Sequence, residues 1–270
     1  MDGQQLVDLQ EMVWRSIDDL CAALTDAEWK MPTDCPGWSA QDQISHLAGS
    51  EASYLGRPAP DHVPKDTPWV RNQIGAKNEV QVDWRRPWSG SEVLDQFRKV
   101  TAERLKLFRG MSQEDFEAQT QTPLGPGTMN DLIRIRVMDA WVHEQDVRRA
   151  VGRPGDLTGP VAEHSVGRFA MAMPFVVGKK AGAGDGKTVV FDIQGDAGRK
   201  LSIAIEGGRG KEVDAVPETP SVQLTIDVET FACLGCGRLD PDETLRAGKV
   251  QMAGDKALGE AIVANMKFMI

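Results

Sequence analysis

Cysteine is scarce in this chain. Cys21, Cys35, Cys233 and Cys236 are its four among 270 residues, too few for a disulfide framework at this length, and they are expected as thiols in a reducing cytosol. Equally lacking is any run of Lys and Arg able to neutralise several phosphates. With 31 basic against 40 acidic residues the net charge is −9, and nucleic acid is excluded as an expected partner. No continuous apolar window reaches the roughly 18 residues of a membrane span. The first residues, MDGQQLVDLQEMVWRSIDDL, are acidic and amphipathic where a secretory leader would be basic and then continuously apolar. The expectation is a cytoplasmic protein with no membrane association. Internal repeats and low-complexity tracts are also missing, and histidine is as rare as cysteine: His46, His62, His143 and His164.

What is present is the composition of a folded protein, 41% apolar and 26% charged. Domains cluster near about 100–150 residues, so this length points to two. Over residues 4–28, Leu6, Leu9, Val13, Ile17, Leu20 and Leu24 recur at steps of three and four, the single apolar stripe of a helix. The turn Cys35-Pro36-Gly37-Trp38 follows, and Ser39 with Asp42 forms a capping box that starts a second helix over about 40–55. Residues 56–68 hold four prolines and read as an irregular connection.

A weaker helical pattern covers 70–82, and a third principal helix runs through SGSEVLDQFRKVTAERLKLFRGM. TPLGPGT reads as a loop. Thr128 and Asp131 then cap a long fourth helix, MNDLIRIRVMDAWVHEQDVRRAV, which stops at Gly152 with Pro154 just beyond. Four helices with short or irregular connections predict a bundle.

The stretch GRPGDLTG is the expected boundary, giving domains over 1–155 and 156–270. Beyond it lie a helix around 161–177, a Gly/Lys-rich turn, and the period-two segments TVVFDI, LSIAIE and SVQLTID. VETFACLGCG and KALGEAIVANMKFM read as helices flanking a short strand, KVQMAG. The fold class is thus α+β: a helical bundle followed by a smaller sheet domain with helices on it.

The chemistry-bearing pattern sits in the two bundle helices that carry histidine. Asp139 and His143 are four residues apart, so they share one face of the long helix about one turn from each other. Such a pair can hold two corners of a metal ion, and His46 on a neighbouring helix is the natural third ligand, leaving positions open for water or substrate. The same spacing also suits a plain helix-surface hydrogen bond, and a lone helix histidine is commonly a satisfied packing residue. Spacing alone leaves both readings standing.

TDCPGWSAQDQISHL closely resembles the first signature of the mycothiol-dependent maleylpyruvate isomerase family, and RVMDAWVHEQDVRRAVGRPGDL resembles the second, in the same order and at similar separation. The resemblance covers nearly the whole chain. It implies a DinB-like metal-binding four-helix bundle followed by a sterol-carrier-like domain. It implies a divalent metal, usually zinc, on His46, Asp139 and His143, and mycothiol as the thiol cofactor. The isomerase for which the family is named carries glutamate where this chain has Asp139, whose carboxylate reaches about 1.5 Å less far.

The implied chemistry is thiol activation, since a free thiol with a pKa near about 8.5 is mostly protonated at neutral pH until a metal draws the proton off. The thiolate would add to a conjugated double bond of a small electrophilic substrate, the resulting single bond would rotate, and elimination would return the trans isomer. In an S-transferase the adduct would leave instead. The resemblance also brings Arg238 forward as a catalytic candidate, because an arginine of the second domain is thought to face the cleft and a guanidinium fork suits substrate carboxylates. A helix C-cap is the alternative role for Arg238.

Cys35, Gly37 and Trp38 are assigned to the turn's structure, and Glu144 points away from His143. Asp146 is a candidate hydrogen-bond partner for a ligand histidine or a helix charge pair. The Cys233-x-x-Cys236 pair lacks a second Cys/His pair and reads as core. His62 and His164 have no partner by spacing. Two further functions compete with the thiol-dependent enzyme: a carrier of an apolar ligand in the second domain, and a DinB-like metal enzyme using water or another thiol. The metal triad separates the first of these, because a carrier has no use for it.

Overall fold

The structure, a computed structural model, describes residues 1–215 and 217–269. They divide into two units, Met1–Gly155 and Asp156–Ile270. In the first unit the helix starts are written locally. Asp2, Thr25 and Ser39 each accept the backbone N–H three residues on, and the side chain there reaches back to the cap's own N–H. These capping boxes open α1 (Gly3–Ala22), α2 (Asp26–Trp29) and α3 (Ala40–Tyr54). The stripe expected as one helix over 4–28 is therefore two, because the Thr25–Glu28 box restarts the chain after α1 ends at Ala22.

Asn72 caps α4 (Gln73–Arg85), which places the weaker helical segment three residues later than its pattern suggests. Further boxes at Ser89, Ser112 and Thr128 start α5 (Gly90–Arg109), a short α6 (Gln113–Glu117) and α7 (Met129–Ala150). The expected loop TPLGPGT belongs instead to an antiparallel hairpin, β1 (Gln119–Thr122) with β2 (Gly125–Thr128), paired from Gln119↔Thr128 to Thr122↔Gly125. Its strands carry two glycines and a proline and no β-branched alternation beyond threonine, so period two is invisible in them.

Helices α1, α3, α5 and α7 make the bundle: α1 and α3 each lie against both α5 and α7. Ile17, Ile44, Phe97 and Val137, one from each helix, are almost wholly removed from water. Polar residues are buried there too, among them Glu51, Arg104, Arg136, His46 and His143. That is unusual for a bundle core and marks where function is built, since an ionisable group inside is tolerated only when partnered.

The second unit carries α8 (Gly159–Ala170), and α9 (Met173–Phe175) running into one π turn over Val176–Lys180. Next come β3 (Thr188–Gln194), β4 (Arg199–Glu206), β5 (Arg209–Glu212), β6 (Val222–Asp227), α10 (Val228–Cys236), α11 (Pro241–Arg246), β7 (Val250–Gly254) and α12 (Lys256–Ala264). The sheet order is β5-β4-β3-β6-β7, antiparallel except for the parallel β3–β6 pair. Gly207 and Gly208, both at positive φ, supply the two-residue turn between β4 and β5. The edge strand β5, RGKE, is almost entirely exposed and so carries no apolar alternation to announce it. The closing helix is shorter than its pattern, ending at Ala264. Among the described residues no helix is long and apolar enough to cross a membrane.

Bundle packing predicts a contrast between two positions on α5. Phe97 is 1% exposed and Leu107 43% exposed. Phe97→Ala is expected to lower unfolding stability by about 3–5 kcal/mol, and Leu107→Ala to stay within about 0.5 kcal/mol of the parent, as read by denaturant unfolding of the full chain.

Candidate metal centre

His46 lies two turns inside α3, and Asp139 and His143 share one face of α7. The contact between α3 and α7 brings all three together, each offering a ligand atom within 4.8 Å of the others. Among the described residues no other group of three His, Cys, Asp or Glu side chains converges in this way. His46 Nε2 stands 3.4 Å from Asp139 Oδ2, and His143 Nε2 stands 3.6 Å from Asp139 Oδ1. Donors held about 2.0–2.1 Å from a zinc ion at the tetrahedral angle lie roughly 3.4 Å apart. Asp139 thus stands near this spacing from both imidazoles, through Oδ2 toward His46 on the facing helix and through Oδ1 toward His143 on its own.

The protonation states also suit a cation. Burial drives the pKa of His46 down to about 4, against a weaker upward pull from Asp139, so its imidazole is neutral at pH 7 and has a lone pair to give. Burial alone would raise the Asp139 carboxyl, but Arg136 and His143 outweigh it and hold this group well below the usual carboxylate range. His143 Nδ1 lies 2.5 Å from Gln43 Oε1. An amide oxygen only accepts, so Nδ1 carries a proton and Nε2 is the ring nitrogen left to face Asp139. The other ring nitrogen of His46, Nδ1, is buried and meets no hydrogen-bond acceptor.

Gln43 has no motif to announce it in the sequence, and the same holds for most of what supports the histidines. Its amide nitrogen donates to Thr33 Oγ1 at 2.7 Å, and Thr33 Oγ1 donates to the Trp38 carbonyl at 2.8 Å. The turn before α3 is thereby tied to His143. The only signal available for Gln43 is its place three residues before His46, one turn back on the same face.

Trp38, assigned to the turn's structure, does more than that. Its ring lies 5.3 Å from the His46 ring and 5.9 Å from the His143 ring, covering both. Its Nε1 donates to buried Glu79 at 2.9 Å, and Trp69 Nε1 donates to the same carboxylate oxygen at 3.0 Å. Gly37, at φ +78°, is structural as expected: a Cβ there would stand 2.2 Å from the Trp69 ring.

Other assignments divide. Asp146 is wholly buried, but it stands 3.8 Å from His143 Nδ1 while Gln43 holds the hydrogen-bonding place, and Asp146 pairs with Arg149 at 2.5 Å. Glu144 turns away to Ser16 and Arg148. His62, given no partner by spacing, meets Asp83 at 2.6 Å, a contact across 21 residues that no local pattern encodes. Cys233 and Cys236 are buried on α10. Cys21 is buried on α1, and desolvation pushes its thiol pKa up, the opposite of a nucleophile. Arg238 lies in the second unit, where its backbone N–H bonds the Cys233 carbonyl at 2.8 Å after Gly237 turns left-handed. It thus takes part in the C-terminal closure of α10.

The tautomer lock generates a test. Gln43→Ala is expected to cost about 10- to 100-fold in affinity for a divalent cation, measured by competition with a chromophoric chelator. Gln43→Glu, which keeps an acceptor oxygen, should retain most of that affinity.

Two family models match the sequence: the mycothiol maleylpyruvate isomerase N-terminal domain over residues 11–148 and the MDMPI C-terminal domain over residues 163–261. Among solved structures, a crystal structure of the mycothiol-dependent maleylpyruvate isomerase aligns with a TM-score of 0.61 at 14% identity, covering 94% of this chain and 93% of that one. A mutant form of that isomerase gives 0.59 at the same identity and coverage. The solution structure of the sterol carrier protein domain 2 of Helicoverpa armigera aligns over 43% of this chain and all of its own, at 20% identity and a TM-score of 0.32. Curated proteins give no match. At such identities the solved structures speak for the fold, while the first sequence model alone spans more than half of the chain and the second follows it in order. The chain belongs to the mycothiol maleylpyruvate isomerase family.

Proposed function

We propose that the protein is a mycothiol-dependent isomerase that holds one divalent cation, zinc in the first instance, on His46, Asp139 and His143. The observation that carries this reading is the convergence of three donors from two helices inside the bundle, in ligating form: a neutral His46, an ionised Asp139, and a His143 whose tautomer Gln43 sets. Imidazole and carboxylate donors suit zinc and accept other divalent ions. When bound, the cation supplies the positive charge that lets a thiol beside it lose its proton near neutral pH.

The chain's own residues do the rest. Trp38 covers the two imidazole rings, which shields them from water and strengthens the charge interactions beneath it. Thr33 and Gln43 hold His143 in one tautomer. Buried Cys21, with its raised pKa, is unsuited to be the nucleophile, in keeping with a thiol that arrives with the cofactor. The substrate is a small electrophile, and Arg238 is proposed to orient its carboxylate through the guanidinium fork. Isomerisation is preferred to S-transfer because the solved relative that aligns over nearly the whole chain is an isomerase. A cytoplasmic location accords with the cofactor. The carrier reading leaves the buried donors without a purpose.

Elemental analysis should find close to one divalent ion per chain, with His46→Ala and His143→Ala each losing it while circular dichroism stays native. Full occupancy in both variants would sink the metal assignment. Calorimetry with mycothiol should show saturable binding that a chelator abolishes; binding indifferent to the chelator would separate the thiol from the metal.

A further inference from the structure

Arg136 lies one turn before Asp139 on α7, and its Nη1 donates to Asp139 Oδ2 at 2.7 Å. This is no surface pair. Arg136 is 4% exposed, and its Nε donates to Glu51 Oε1 on α3 at 2.8 Å. The other oxygen of Glu51 accepts from Arg104 Nε on α5 at 3.0 Å. Glu51 and Arg104 are 1% and 2% exposed. Four charges from three helices thus form the chain Arg104–Glu51–Arg136–Asp139. The Tyr54 ring lies 5.4 Å and 5.7 Å from the two guanidinium carbons.

A guanidinium is planar and presents its N–H groups on separate edges, so one arginine can serve two carboxylates at once in fixed directions. Glu51 sets where Arg136 sits, and Arg136 in turn sets which Asp139 oxygen is taken. Oδ2 is engaged by Arg136 at hydrogen-bond distance, with His46 Nε2 3.4 Å from the same oxygen, while Oδ1 stands 3.6 Å from His143 Nε2. A carboxylate with both oxygens free can grip a cation through either one or two of them, and a two-oxygen grip would use up a position that a catalytic site needs open.

We propose that Arg136, clamped by Glu51, is a positioning residue that restricts Asp139 to ligation through Oδ1 alone and thereby keeps positions free for two exogenous donors, a thiol sulfur and a substrate oxygen. The inference rests on the reading of His46, Asp139 and His143 as cation ligands. It has a second consequence. A guanidinium on the same carboxylate opposes the dication electrostatically, so cation affinity is held below what the three donors alone would give. Removing Arg136 should therefore move two affinities in opposite directions, which generic damage to the bundle would not do.

The test uses full-length protein loaded with cobalt(II), whose visible spectrum follows its ligands. Two affinities are measured in the parent, Arg136→Gln, Arg136→Lys and His46→Ala: that of cobalt, by chelator competition, and that of acetohydroxamate, which needs two free neighbouring positions. Arg136→Gln is expected to bind cobalt about tenfold tighter and acetohydroxamate about tenfold weaker, the lower end of what such supporting residues control. Arg136→Lys should move both in the same directions, because one ammonium cannot span Glu51 and Asp139 and will stay with the more buried Glu51. If the glutamine variant does not fold, the lysine variant decides the matter. Both affinities falling together, or neither moving, overturns the role of Arg136 provided the parent binds cobalt and His46→Ala does not. Equal cobalt binding by the parent and His46→Ala would instead overturn the ligand reading, and this inference with it.

Discussion

A charge cannot be left alone inside a helix bundle, and that constraint organises the first unit of this protein. Asp139 is ionised because Arg136 bonds it; Arg136 is held by Glu51, and Glu51 by Arg104. Breaking any one of these links would strand a buried charge at a cost of several kcal/mol. The chain is therefore kept whole, and because its members come from α3, α5 and α7 it fixes how those helices sit around the donors. Stability and site geometry depend on the same contacts.

The turn before α3 meets a similar demand from the other side. Two buried imidazoles need their remaining edges covered and, where possible, bonded. Trp38 covers both rings, Gln43 bonds one of them, and Glu79 holds the indoles of Trp38 and Trp69 together. The left-handed backbone at Gly37 lets the Trp69 ring lie against the turn without a Cβ in the way. The proline-rich segment after α3 is thus tethered through Trp69 rather than left loose. In the same segment His62 is tied to Asp83.

The aspartate at position 139 shows how a shorter side chain is accommodated. The loss of a methylene shortens the reach of the carboxylate, yet both histidine nitrogens stand within 3.6 Å of its oxygens. Arg136 approaches from one turn back on the same helix. Membership of the mycothiol maleylpyruvate isomerase family and this local arrangement are separate lines of support for one functional reading.

Much of the architecture was legible in the chain itself, for local reasons. Capping boxes at Ser39 and Thr128 are satisfied within four residues, and apolar stripes reflect a period that any helix must obey. The i, i+4 pair of Asp139 and His143 is likewise a property of one helix. Where structure needs no local signal the sequence was silent, as at the hairpin over 119–128 and the exposed edge strand β5; the restart at Thr25 did carry a capping box, set directly after the last position of the α1 stripe. Gln43, Glu79, Glu51 and Arg136 became visible as supports only when α3, α4, α5 and α7 came together. Their partners lie up to 100 residues away, and a polar side chain reads alike in sequence whether it faces water or a buried charge. Burial decides which, and burial is a property of the packed bundle.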